Sequence, residues 1–421
     1  MKKIHQAFFG LLLLLLPTQL GKHFWPNFAF ISGLRLDYYS PAFYFTDLLI
    51  LLILIFFISE KVKKFKQKIK KLPGLAKKNI LIISFLTYLF INAFLSPSPG
   101  PAIFKFLKII EFFFLGIYLT QIKFKPAHHL CFSISLFYTF LIALFQFIKK
   151  ASLGGIFYWL GERTFNLSTP GIAKIVIGGQ EILRPYATLP HPNVLGGFTL
   201  VSLIFLLTLN LPKIIEKPLL ISCLITIFLS FSRTAWVATA IFLPPTLFAT
   251  LSKKKSKKIT FWKPIFVGLG LIILTVSLLK ASTSNSRLQD FAFSSSSISL
   301  RIKLNQAAVE MIKTHPLTGV GLNNFIFSLP HYSPQIFQTL WLQPAHNLYL
   351  LIASETGLLG FFLFSSLLFF SFKKALSLKK FSLIPLLCIL FLGFFDHYFF
   401  TLQQAMLLFT FILSLPWAQK T

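Results

Sequence analysis

The sequence predicts an all-α, polytopic integral membrane protein with about twelve transmembrane helices, and three observations carry that prediction. Of its 421 residues 55% are hydrophobic and only 12% are charged, too few polar groups to cover a soluble core of this size. Apolar runs of roughly 16 to 24 residues recur along the whole length, each long enough to cross hydrocarbon. The lysines cluster between alternate runs, as loops on one face of a membrane do.

Taken in order, the runs place spans near 4–20, 42–59, 79–95, 102–121, 130–148 and 193–211. Six more fall near 218–232, 234–250, 262–280, 347–370, 381–395 and 398–416. The first follows Met1-Lys2-Lys3 and resembles a secretory signal, but no small-x-small cleavage site comes after Leu16, so it reads as a retained span. The span at 102–121 carries Lys105, Lys108 and Glu111; apart from these the spans read as nearly free of ionisable groups. Cys131, Cys223 and Cys388 lie singly inside apolar runs and read as small buried hydrophobes.

Orientation follows from the lysines. With the N-terminus inside, the inner segments hold Lys2 and Lys3, the nine lysines from Lys61 to Lys78, Lys123, Lys125, Lys213 and Lys217. They continue with Lys253–Lys263, Lys373–Lys380 and Lys420, so both termini are expected in the cytoplasm. The net charge of +30 therefore orients the chain and is no footprint of nucleic acid. The six arginines (Arg35, Arg163, Arg184, Arg233, Arg287 and Arg301) all fall on the expected outer side, against the bias that placed the lysines. Arginine kept apart from lysine suggests planar, two-pronged grip on phosphate or carboxylate. Two outer loops are long, about 149–192 and about 281–346, and both are rich in the polar residues that the spans lack.

Several chemistries lack their residues. No G-x-x-x-x-G-K-[ST] is present for ATP, and neither H-E-x-x-H nor G-x-S-x-G occurs. The eleven acidic residues never come closer than Asp37 and Asp47, so no local carboxylate cluster exists to hold a divalent metal. No metal and no cofactor are expected.

Four stretches on the outer side remain. They are Arg184-Pro-Tyr-Ala-Thr-Leu-Pro-His191-Pro192-Asn193, the turn Ser232-Arg233-Thr234, and His315-Pro316-Leu317-Thr318-Gly319-Val320-Gly321-Leu322-Asn323-Asn324-Phe325. The fourth is His346-Asn347-Leu348-Tyr349-Leu350, followed by Glu355-Thr356-Gly357-Leu358-Leu359-Gly360. Before the third stretch, Leu300, Leu304, Ala307, Ala308, Met311 and Ile312 recur at helical spacing, which predicts an amphipathic helix ending before Pro316. The serines at 294–299 are its candidate N-caps, which puts Arg301 in the first turn, where the helix dipole favours an anion.

Together these stretches resemble the O-antigen ligase and O-antigen polymerase superfamily of membrane glycosyltransferases. The resemblance covers about 180–415 and rests on R-x-x-A-T-x-x-H-P-N, the Ser-Arg turn, H-P-L-T-G-V-G-x-x-N-F and H-N-x-x-L…E-T-G-x-x-G. It divides the chain into N-terminal helices with basic inner loops, 1–180, and an O-antigen ligase-like region, 181–421. It implies a metal-independent, inverting transferase of the bacterial cytoplasmic membrane, with its site facing out. Such an enzyme moves a glycan from a polyprenyl diphosphate lipid in the bilayer to a glycan, lipid or protein hydroxyl, in cell-envelope polysaccharide biosynthesis. The family's functional positions map to Arg233, Arg301 and His346, with Arg287 the rival for the loop arginine. Arg184, His191, Asn193 and Asn347, from the same motifs, are expected at the substrate. Ligase, polymerase and protein O-oligosaccharyltransferase share these motifs. A non-catalytic transporter or flippase of lipid-linked glycans is the alternative from another class.

The roles are physically reasonable. Breaking a glycosyl–diphosphate bond builds negative charge on the leaving group, and a fixed donor placed there is often worth ~3 kcal/mol. The acceptor hydroxyl must lose a proton as it attacks, and an imidazole at the membrane surface is suited to take it.

Overall fold

The computed structural model describes residues 4–69, 80–177, 180–209, 211–253, 295–338, 342–377 and 383–418. The helices are α1 (Ile4–Leu14), α2 (Phe45–Ile69), α3 (Ile80–Phe94), α4 (Pro99–Gln121), α5 (Pro126–Lys149), α6 (Pro192–Thr208), α7 (Lys213–Leu229) and α8 (Arg233–Lys253). After the gap come α9 (Ser295–Thr314), α10 (Phe325–Tyr332), α11 (Pro334–Gln338), α12 (Leu348–Ser377), α13 (Leu383–Gly393), α14 (Tyr398–Thr401) and α15 (Gln403–Ser414). A helix stands at each expected span except 262–280, which lies outside the described residues, as does Arg287. By length and composition, α5 and α12 each suffice to cross a membrane; α1, α3, α6 and α13 are shorter apolar helices.

The architecture is mostly helical, but the loops depart from pure α. Among the described residues three two-stranded antiparallel sheets form: β1 (Gly21–His23) with β4 (Ala42–Tyr44), β2 (Phe30–Ile31) with β3 (Leu34–Arg35), and β5 (Lys174–Ile177) with β6 (Gln180–Leu183). The β2–β3 turn shows why. Ser32 and Gly33 both adopt positive φ (50° and 79°), the left-handed pair that closes a two-residue hairpin with the right twist. Such signals are short and disappear beside long apolar runs.

Helix α6 is the hub. Every residue from Val194 to Leu207 is buried, so the helix has no polar stripe and needs none. It packs against α7, α8, α13 and α15, and its glycines allow close approach: a Cβ at Gly196 would lie 2.7 Å from Ser230 Oγ and 2.9 Å from Ala235 Cβ. Helix α9 buries Leu304, Ala307, Ala308 and Met311, the expected stripe, against α12. It starts at Ser295, however, so Arg301 is its seventh residue and sits in the second turn. The helix N-terminus is therefore no anion seat for Arg301, because the serine run extends the helix rather than preceding it.

The two glycine-rich motifs turn out to be partners. Helix α12 is broken at Gly357, whose φ of 65° and ψ of −178° are open only to glycine. The break frees carbonyls that the segment 316–321 satisfies: Val320 N–H donates to Ser354 O (2.8 Å) and Gly321 N–H to Glu355 O (2.9 Å), while Leu358 N–H donates to Pro316 O (2.7 Å). Tyr88 Oη adds a bond to Thr356 O (2.5 Å), and Asn92 bridges Thr318 O (2.7 Å) and Leu322 N (2.8 Å). Backbone meets backbone so closely that a Cβ at Gly319 would fall 2.5 Å from Glu355 C. Gly357→Ala should therefore cost ~2–4 kcal/mol, from a forbidden φ plus collision with Leu317 O, and lower the thermal unfolding temperature in detergent. An unchanged unfolding temperature would show that the break is not needed for stability.

The helices also hold more charge than the sequence reading allowed. Besides Lys105, Lys108 and Glu111, Asp47 and Glu355 are buried within the expected spans. Lys108 pairs with Asp47 and, at 3.2 Å, with Glu111, and Gln403 donates to Asp47. Lys105 donates to Phe400 O, tying α4 to the short helix α14. Isolated charges are costly in hydrocarbon; paired across helices, these pin α2, α4, α14 and α15 in one arrangement.

Candidate active site

Four segments converge where α6, α8, α9 and α12 begin and α13 ends. The first is the loop after β6, which carries Arg184. Its Nε and Nη2 donate to Ser230 O (3.0 and 2.9 Å), and Nη2 also donates to Asn193 Oδ1 (2.7 Å). Ser230 caps α7, Phe231 turns the chain with a φ of 48°, and Arg233 opens α8. Ser232 stabilises that opening as Trp236 N–H donates to its carbonyl (2.9 Å). The Ser-Arg turn is thus clamped by Arg184 on one side and seated on Gly196 on the other, presenting an exposed Arg233.

His191 and Asn193 work as structural groups here. His191 caps α6, its Nδ1 accepting from Asn193 N–H (3.1 Å), and Asn193 Oδ1 is taken by Arg184. Burial, reinforced by the Arg184 guanidinium, pushes the His191 imidazole down to about 3, so it adds no positive charge at neutral pH. Arg184 itself is brought down to about 10, chiefly by burial, and remains cationic.

His346 precedes α12. Asn347 caps that helix through Oδ1, which accepts from Tyr349 and Leu350 N–H (both 3.0 Å), and donates from Nδ2 to Phe394 O (3.1 Å). This second bond brings the α13–α14 turn, with Asp396 and His397, against His346. Asp396 Oδ1 lies 3.5 Å from His346 Nδ1, an electrostatic contact rather than a full hydrogen bond, and 3.9 Å from His397 Nε2. On the far side of the ring, His346 Nε2 faces Gln343 Oε1 at 3.1 Å. His397 is fixed by Thr401 Oγ1 (2.7 Å) and by the ring of Tyr38, edge-on with centroids 5.7 Å apart.

Burial alone would raise the Asp396 carboxyl, but the contact with the His346 side chain and the positive charge of Arg301 outweigh it and hold the group well below the usual carboxylate range. Burial pushes His397 down to about 3, so Asp396 stands as the fixed anion of the cluster. Arg301 reaches the site from α9. Its positive charge is felt by Arg184, Arg233, His191, Asp396 and His397, which groups it with them electrostatically. Among the described residues the Arg301 guanidinium makes no hydrogen bond and no ion pair, which leaves its fork available to a ligand.

The sequence reading named Arg184, Arg233, Arg301, His191, Asn193, His346 and Asn347, and the structure brings these together. It missed Asp396, His397, Gln343 and Tyr38. One nitrogen from each of His346 and His397 and one Asp396 oxygen all lie within 4.8 Å of one another, a set compact enough for a cation. The scattered carboxylates gave no hint of it, since Asp396 joins this group only through the fold.

Residues 218–365 match a family model described as O-antigen ligase, a stretch that contains Arg233, Arg301 and His346. No curated protein matches the chain. Arg184, His191 and Asn193 precede the matched region, and Asp396 and His397 follow it, yet all meet at one site. Over this region the chain is similar to the O-antigen ligase family, in line with the resemblance that its motifs carry.

Proposed function

We propose that the chain is a glycosyltransferase that moves a glycan from a polyprenyl diphosphate lipid to an acceptor hydroxyl, at the outer leaflet of a bacterial cytoplasmic membrane. The observation that carries this reading is the pairing of His346 with Asp396 at 3.5 Å, close in charge to Arg301, which also acts on the Ser-Arg turn that Arg184 clamps. Cations gathered beside a polarised imidazole suit a reaction that releases a diphosphate and consumes a hydroxyl proton. Arg233 and Arg301 stabilise the departing phosphates; Arg184 keeps the Ser-Arg turn in register. His346 takes the proton at Nε2 once the acceptor displaces Gln343, while Asp396 holds the opposite edge of the ring as it becomes charged. Attack from the face opposite the diphosphate inverts the anomeric centre. In this reading about twelve helices cross the membrane with both termini inside, following the lysines.

Transfer by purified protein from a defined polyprenyl-diphosphate glycan, with and without EDTA, tests the proposal. Product formation that survives EDTA is expected. Loss of activity in EDTA, restored by one divalent metal, would instead assign His346, Asp396 and His397 to that ion. Donor movement between leaflets without any transfer would reject the enzyme in favour of a flippase.

A further inference from the structure

One feature of the outer segments is not used by the transfer chemistry. A cavity of about 560 Å³ opens between α3, the turn at 95–98, the segment 315–321 and α10. Its walls present three aromatic rings, Tyr88, Phe327 and Tyr332, interleaved with the polar side chains of Thr318, Ser328 and His331. A second cavity of about 510 Å³ adjoins it across Phe327, over the segment 27–31. No lysine, arginine, aspartate or glutamate lines either one.

We infer that this paired cavity is a subsite for the neutral sugar rings of a glycan, separate from the cationic site that takes the diphosphate. Three arguments support it. The chemistry is that of a saccharide: flat aromatic faces suit the C–H faces of sugar rings, hydroxyls and imidazole suit their edges, and uncharged walls offer nothing to a phosphate. The volume falls within the range of ~300–1,000 Å³ usual for small-ligand pockets and has room for a short oligosaccharide. The shape is fixed in advance. Tyr88 is anchored by its hydroxyl on Thr356 O, Tyr332 Oη is held by Thr314 Oγ1 (2.7 Å), and the 316–321 floor is bonded to the break in α12.

The cavity is also connected to the reacting centre. Two residues beyond Gly321 of its floor, Asn323 donates to Tyr38 O (3.1 Å), and the Tyr38 ring rests edge-on against His397. The inference rests on the transfer reading for its biological meaning, since the glycan is that of the donor or of the acceptor. The cavity's affinity for sugar does not depend on that reading.

The test uses the full chain, purified in a detergent with no sugar headgroup. The probe is the phosphate-free oligosaccharide released by mild acid from the cell's own polyprenyl-linked glycan, followed by equilibrium dialysis. The wild type should bind it. Ser328→Trp, which fills the cavity, should weaken binding by about tenfold or more, and His331→Ala, an exposed change that the fold tolerates, should weaken it less. Inorganic pyrophosphate should not displace the probe. In transfer assays the same variants should raise one KM with kcat unchanged. A shift in the donor KM assigns the cavity to the donor glycan, and a shift in the acceptor KM to the acceptor. Failure of the wild type to bind, equal affinity in Ser328→Trp with neither KM moved, or displacement of the probe by farnesyl phosphate or pyrophosphate would each overturn the inference. Sugar binding by a wild type that transfers nothing would support the cavity and sink the transfer proposal alone.

Discussion

Replacing His346 with alanine is expected to cut glycan transfer by about 10²–10⁴-fold, the usual contribution of a positioned general base. Donor binding should survive, because the arginines proposed to hold the diphosphate, Arg233 and Arg301, stand on α8 and α9, neither of which depends on the imidazole. The partner variant is Asp396→Asn. It keeps the shape of the turn and the Asn347–Phe394 bond but removes the anion facing Nδ1, so it should lose much of the same rate. A double variant no slower than His346→Ala alone would show the two acting as a unit. A full rate from His346→Ala would remove the histidine from the mechanism and leave its burial beside Asp396 a matter of packing.

The second large effect is expected from Arg301→Lys and Arg233→Lys, each losing ~10²–10³-fold in kcat with the protein still accumulating in the membrane. Lysine keeps the charge and loses the planar fork that spans two oxygens. Arg184→Lys is the informative contrast. Three hydrogen bonds commit that guanidinium to Ser230 O and Asn193 Oδ1, so its loss should lower thermal stability as well as activity. Arg301 makes no such bonds among the described residues, and its variant should unfold at the wild-type temperature. Near-normal transfer by the Arg301 and Arg233 variants would mean that charge alone suffices, or that the diphosphate binds elsewhere.

The helices were legible in the sequence because a bilayer demands long apolar runs, and such runs survive any uncertainty about packing. The α9 stripe and its end before Pro316 were equally plain, since a 3.6-residue period and a proline are local signals. Its start was not, because serine is both a cap and an acceptable helix residue, and that ambiguity moved Arg301 by a turn. Asp396 and His397 escaped notice for another reason. They occupy a two-residue gap between apolar helices and resemble an ordinary polar turn; only the bond from Asn347 to Phe394 O sets them against His346. The glycine motifs carried the family resemblance but no structural reading from sequence. Their meaning is a contact between two backbones, and no spacing within either segment announces the other.

The break in α12 has a consequence for how the chain is made. In the proposed membrane arrangement, unpaired carbonyls of Ser354 and Glu355 would cost several kcal/mol each. Their donors, at Val320 and Gly321, lie upstream and leave the ribosome before α12 does. When α12 enters the bilayer, the segment that makes it tolerable has already been synthesised and needs only to dock. Reversing that order, by a circular permutation that places 316–321 after α12, would oblige a broken helix to wait in lipid for its partner.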